Sequence, residues 1–325
     1  MNIKAIIKKA WNSFIVDYKL TKNLNRILYF VGFCFLILII VKNWNELFSI
    51  WKNANIIWLI LVVVLYPIGM IPTTLAWHYI LRSININLSY IKNLRYYSLS
   101  TFSRHIPGFV FFVGNRSLVY SSENISGRKI IFSTFLEILV LSLMGYFLSI
   151  PIIINNQSAV PNLLKILIII FCSVSIIFIS VFMFGYLRKN VNKEIKILKK
   201  NFHLPTIKLT QLSKSFVISI FAWIGGGLLL SFVVNSIKPI NFSTLLFTIG
   251  VWAFVGSLSM SIGIFIQAIG FREISMAVLL SMIMNPIEAA SIAVSFRLLF
   301  TLGEILWVFV FTLLIKPDKK IIMET

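Results

Sequence analysis

Charge is what this sequence has least of, and acidic charge is the scarcer sign. Only 12% of its 325 residues are Asp, Glu, Lys or Arg, where a soluble globular domain carries roughly a quarter. That shortage excludes a water-soluble domain of this length. Aspartate occurs twice, as Asp17 and Asp318, both near the ends. An enzyme that works through metal-binding or paired carboxylates at an aqueous face has little to build from. The two cysteines, Cys34 and Cys172, lie inside apolar runs and read as buried thiols. His78, His105 and His203 are too scattered for a metal cluster. No phosphate-binding loop is present, so no cofactor, metal or catalytic residue is expected.

What fills the chain instead is hydrocarbon. Hydrophobic residues make up 58% of it, with mean hydropathy +0.92, in continuous runs rich in Ile, Leu, Phe and Val. Such runs suit helices that cross a bilayer, not the alternating segments of a β-barrel. The reading is an all-α polytopic membrane protein, one integral domain over 1–325. Eight spans are expected, at 27–42, 56–81, 130–154, 163–187, 215–236, 242–261, 264–285 and 288–315. The segment 96–120, broken by Pro107, Gly108 and Gly114, is expected to enter the membrane without crossing. Residues 1–26 carry Ile3, Ile6, Ile7, Ala10, Trp11, Phe14 and Tyr18 at helical spacing between lysines, the pattern of an amphipathic cytoplasmic helix.

The net charge of +20 does not point to nucleic acid, because the basic residues lie in the connections between spans. With the N-terminus inside, 23 of the 30 Lys and Arg fall in cytoplasmic segments, including a basic connection at 188–214. The positive-inside rule then sets both termini in the cytoplasm of a plasma-membrane protein. Trp44, Trp51, Trp58 and Trp77, near span ends, read as interfacial anchors. Gly225, Gly226 and Gly227 read as a close helix-packing surface.

Six charged residues remain inside apolar segments: Arg116, Arg272 and Arg297 against Glu137, Glu273 and Glu304. Each costs about 2.5–3.5 kcal/mol at the bilayer centre on insertion scales, so such residues pair or face a wet cavity. Three constellations follow. In the first, a helix restarting near Gly114 would point its positive end, and Arg116, at an anion; a kinked interfacial helix with Arg116 reaching to water is the alternative. In the second, Glu137 lies about 12 Å below the cytoplasmic face at 1.5 Å per residue, with Arg116 the nearest embedded cation in sequence. In the third, Gly270, Arg272 and Glu273 face Arg297 and Glu304, which share a helix face seven residues apart. An intramembrane site and structural pairing between helices are the two readings of it. Interrupted, arginine-bearing segments in both halves also suggest an internal repeat and a transporter binding site.

These motifs resemble the transmembrane domain of the lysylphosphatidylglycerol synthase family, also called flippase-like proteins, which includes the membrane half of the multiple peptide resistance factors. The matching residues are Pro107-Gly108, Gly114, Arg116 and Glu137, then Gly270, Arg272, Glu273 and Arg297-Leu298. The family's usual Pro-Gly-Gly is Ile266-Gln267-Ala268 here, and Ile138 replaces a frequent arginine. The resemblance implies translocation of a lipid with an anionic or aminoacylated headgroup. The expected partners are membrane lipids, either anionic phospholipid or a polyprenyl-phosphate-linked glycan, with a homo-oligomer or an envelope-biosynthesis protein beside them. The soluble domain that attaches the amino acid in related synthases is not expected, since the chain reaches Thr325 soon after its last span. Two other functions stand as alternatives: a polyprenyl-phosphate-dependent glycosyltransferase, and a non-transporting accessory subunit of envelope assembly.

Overall fold

A computed structural model describes residues 44–101, 109–154, 161–162, 165–174, 177, 207–263 and 270–314; every element among them is a helix. In chain order these are α1 (Trp44–Asn53), α2 (Ile56–Ser83), α3 (Tyr90–Thr101), α4 (Phe109–Ser121), α5 (Gly127–Leu148), α6 (Pro151–Ile154) and α7 (Lys165–Val174). After them come α8 (Leu209–Ile237), α9 (Phe242–Gly263), α10 (Phe271–Leu280) and α11 (Pro286–Leu314). The helix expected over 1–26, the span at 27–42, much of that at 163–187, and Pro107 and Gly108 lie outside the described residues. The basic connection is described only from residue 207, and its last turns already belong to α8.

Five expected spans are helices long and apolar enough to cross a bilayer: Ile56–Ser83, Gly127–Ile154, Leu209–Ile237, Phe242–Ile262 and Pro286–Thr312. Their outward faces carry unpartnered bulk, as on α2, where Ile56, Ile57, Ile60, Val64, Ile68 and Ile71 are exposed. In water such a strip would be a liability; against lipid tails it costs nothing. The protein is an all-α polytopic membrane protein.

Of the crossing expected at 264–285, residues 270–285 are described. The helix there, α10, has ten residues, about 15 Å at 1.5 Å per residue, half of a hydrocarbon core of about 30 Å. Turns follow at 281–283. Asn285 then caps α11: its Oδ1 accepts from the Ile287 N–H at 3.0 Å, and Glu288 Oε2 accepts from the Asn285 N–H at 3.3 Å. Pro286 at the first helical position completes a start signal. Of the segment 96–120, the described parts are helical and belong to α3 and α4, of 12 and 13 residues; the break expected at Pro107 and Gly108 lies outside the described residues.

Two long helices, α2 and α8, run antiparallel through the middle. At one end the Asn55 N–H donates to the Ser236 carbonyl at 2.8 Å; at the other the Lys208 N–H donates to the Ser83 carbonyl at 2.7 Å. They approach closely because small residues face each other: a Cβ on Gly225 would lie 3.6 Å from Gly69 Cα. Gly226 and Gly227 give the same room to α9, packing against the Trp252 indole and Ile249, so the triple glycine is a packing surface. A Cβ on Gly227 would sit 2.6 Å from Ile249 Cα, and backbone cannot swing aside as a side-chain tip can. Gly227→Ala is therefore expected to destabilise the bundle by about 1–3 kcal/mol, read as a lower unfolding temperature in detergent. Gly225→Ala, at ordinary contact distance, should leave that temperature nearly unchanged.

Candidate functional site

The six intramembrane charges do not converge on one point. They form two groups, and the first is sealed. Arg116, on α4, is 0% exposed. It makes an ion pair with Glu137 of α5, and its guanidinium lies 3.9 Å from the Trp77 ring centroid, 4.6 Å from Tyr97 and 4.9 Å from Phe112. Glu137 Oε1 also accepts from the Tyr97 hydroxyl at 2.9 Å. Behind the cage, the Trp77 indole donates to the Tyr120 hydroxyl at 2.7 Å, which bonds Asn93 Oδ1 at 2.5 Å. A guanidinium tolerates such a place because weak hydration and a flat π-face let aromatic rings replace water.

Two expectations fail here for identifiable reasons. Gly114 does not start a helix; it lies inside α4, where a Cβ would meet nothing within 4 Å. Arg116 consequently sits in the third turn and faces its carboxylate, not an open helix end. Trp77 is no interfacial anchor: it is wholly buried and forms one wall of the arginine cage. Trp58 is half-buried and tilts against Phe232, while Trp51, partly exposed, donates from its indole to Ser291 Oγ at 2.6 Å and ties α1 to α11.

The second group surrounds the start of α10. Gly270 precedes that helix with φ 92°, a left-handed conformation that glycine adopts without a steric penalty. Its N–H donates to Glu273 Oε2 at 3.1 Å. Glu273 Oε1 meets Arg297 Nε of α11 at 3.5 Å. One carboxylate thus fixes both the helix start and a neighbouring helix. Arg272 points the other way, its guanidinium 4.2 Å from the Trp252 ring centroid and 5.4 Å from Phe300. Among the described residues no carboxylate lies within 4.0 Å of it. Gly270→Ala should cost about 1–2 kcal/mol for the left-handed backbone alone. Gly270→Asn should cost less, and thermal unfolding of the two variants side by side measures the difference.

A cavity of about 300 Å³ lies between the groups. Glu137 borders it from α5, while Arg272, Arg297 and Glu304 border it from α10 and α11. Arg297 and Glu304 thus share a face, as their spacing requires. Arg116 and Glu273 are not on the cavity wall; each stands behind the residue it pairs with. Most of the remaining wall is apolar or aromatic, including Tyr66, Phe112, Trp223, Trp252 and Phe300. The aromatic partners Trp252 and Phe300 were not foreseeable, since they come from helices remote in sequence.

A bundle of apolar helices, short broken elements at membrane depth and a charged cavity among the spans define a multi-pass membrane protein with an internal polar site. The family model for the lysylphosphatidylglycerol synthase TM region matches residues 26–307, and the chain belongs to that family. No curated protein matches it in sequence. Family membership ties the chain to membrane-lipid function.

Proposed function

We propose that this protein translocates a lipid with an anionic or aminoacylated headgroup between the leaflets of the plasma membrane, with the cavity as the headgroup's path. The observation that carries this reading is Arg272: a cation on the cavity wall, backed by Trp252 and Phe300 and without an ion-pair partner among the described residues. Glu273 and Glu304 act on this guanidinium from beyond contact distance, and a lipid phosphate entering the cavity would meet it directly. Small-molecule sites span roughly 300–1,000 Å³, and a cavity of about 300 Å³ holds a headgroup but not two acyl chains. The chains would remain in the bilayer, as translocation requires. Glu137 and Glu304 add negative charge to the same wall and give a cationic amine on the headgroup somewhere to bind. Phospholipid and polyprenyl-phosphate-linked glycan share the phosphate and are both candidates. Both termini are taken as cytoplasmic from the charge distribution.

The test is a leaflet-resolved assay in vesicles reconstituted with the purified protein. Headgroup-labelled phosphatidylglycerol, its lysyl ester and a polyprenyl-phosphate sugar are compared with phosphatidylcholine. Faster transfer of any of the first three, relative to protein-free vesicles, supports the reading. Equal rates for all four lipids and for empty vesicles would remove it. Formation of a glycosylated product from the lipid-sugar would favour the glycosyltransferase instead.

A further inference from the structure

Helix order repeats within the chain. The first run is α2, α3, α4, α5 and the second α8, α9, α10, α11: in each, the first and last helices are long and two further described helices lie between them. The two terminal bonds between α2 and α8 are the same bond made twice. Donor to donor and acceptor to acceptor, they are offset by 153 residues (208 − 55 and 236 − 83). An antiparallel pair tied in this way has a two-fold axis at its centre, across the bilayer normal, and Gly69 and Gly225 meet near the middle of both helices. The packing obeys the same operation: α5 of the first run lies on α9 of the second, and α11 of the second lies on α3 of the first.

The charges obey it too, with sign exchanged. In the first run the ion pair joins α4 to α5, through Arg116 and Glu137; in the second it joins α10 to α11, through Glu273 and Arg297. Their surroundings differ. In the first pair Arg116 is wholly enclosed and only Glu137 reaches the cavity, whereas Arg297 is 43% exposed by side chain and borders the cavity. α5 lies along α9 more extensively than α11 along α3, as the longer α9 allows, while α11 lies along α2 more extensively than α5 along α8. The two runs therefore differ in the surroundings of their ion pairs.

We propose that the chain is an inverted repeat whose two runs exchange these environments, so that in a second state Glu273–Arg297 is enclosed and Arg116 joins Glu137 on the headgroup path. In that state α3 closes on α11 and α5 parts from α9, while α2 and α8 stay fixed as a spine. This rests on the translocase reading for its purpose but not for its geometry. Two runs with the same architecture have two nearly equivalent packings, which is how inverted repeats give access to each side of a membrane in turn. Arg116 Nη2, buried and without an acceptor among the described residues, fits a group that finds its full set of partners only in the other state.

The exchange is measured by pulsed electron spin–spin distances on the full-length protein in vesicles of phosphatidylethanolamine and phosphatidylglycerol. Labels go on exposed positions: Ile91 with Phe309 for α3–α11, Leu246 with Phe147 for α9–α5, and Val64 with Phe221 for the spine. Cys34 and Cys172 are first changed to serine; Cys172 donates to the Tyr146 carbonyl at 2.9 Å, a bond that serine keeps. Glu137→Gln weakens the enclosed pair and should shift the ratio of two distance populations at least about tenfold, shortening α3–α11 and lengthening α9–α5. Glu273→Gln should shift both the opposite way, and it remains informative should Glu137→Gln fold poorly. The spine distance should hold throughout. Single distances insensitive to both variants, or two distances that move in the same direction, would overturn the exchange. Opposed shifts in a protein that transfers no lipid would retain it and remove the translocase reading instead.

Discussion

Arg272→Ala is expected to reduce lipid transfer about ten- to hundredfold while leaving folding intact. A charge-assisted hydrogen bond to phosphate is worth about 1.5–3 kcal/mol, and each 1.4 kcal/mol is a factor of ten. The side chain borders the cavity and rests on Trp252 and Phe300, with no carboxylate within 4.0 Å among the described residues; Glu273 and Glu304 feel its charge only from further away, and Glu273 keeps Arg297 when it is removed. Arg272→Lys keeps the charge but loses the planar fork and the fit against the two rings, so it should fall between wild type and alanine. Trp252→Leu should weaken transfer in the same direction, through the loss of the ring beneath the guanidinium. Vesicle transfer rates normalised to reconstituted protein, with unfolding temperatures alongside, check the series. Unchanged transfer in Arg272→Ala would mean that this cation is not on the path.

The second large effect is on stability. Glu137→Ala leaves Arg116 wholly buried without its carboxylate, and breaking a buried pair from one side costs about 3–5 kcal/mol. Arg116→Met leaves Glu137 with the Tyr97 hydroxyl at 2.9 Å and a place on the cavity wall, so it should cost less. The double variant Arg116→Met, Glu137→Met should be more stable than Glu137→Ala alone, because no charge is left stranded. A double-mutant cycle in detergent, by chemical or thermal unfolding, reads the coupling directly. Additive effects would show that the two residues do not stabilise the fold as a pair.

Much of this arrangement was legible in the chain, and what was not has particular causes. The five long spans announce themselves by length and hydropathy, and the six embedded charges by their improbability in lipid. Arg116 was the nearest of the embedded cations to Glu137 in sequence, and the two do pair. Arg297 and Glu304 share a face because seven residues make nearly two turns. The boundary at 285 was also written in the sequence: Asn285-Pro286 with Glu288 three residues after the cap is a helix start, and it separates the last two expected spans. The aromatic cages were not legible. Trp77 lies near the end of α2, where an anchor and a cage wall have the same local pattern; only α3 and α4, packed around it, distinguish them. Gly114 misled for a related reason, since a glycine that breaks a helix and one that merely sits in it look alike in a single sequence.

Native mass spectrometry of the gently extracted protein, wild type beside Arg272→Ala, bears most directly on whether the charged cavity holds a lipid headgroup. Wild type should retain a phosphate-bearing anionic or aminoacylated lipid, enriched over its share of the membrane, and the alanine variant should lose it. Identical lipid profiles in the two proteins, matching the bulk membrane, would contradict the account.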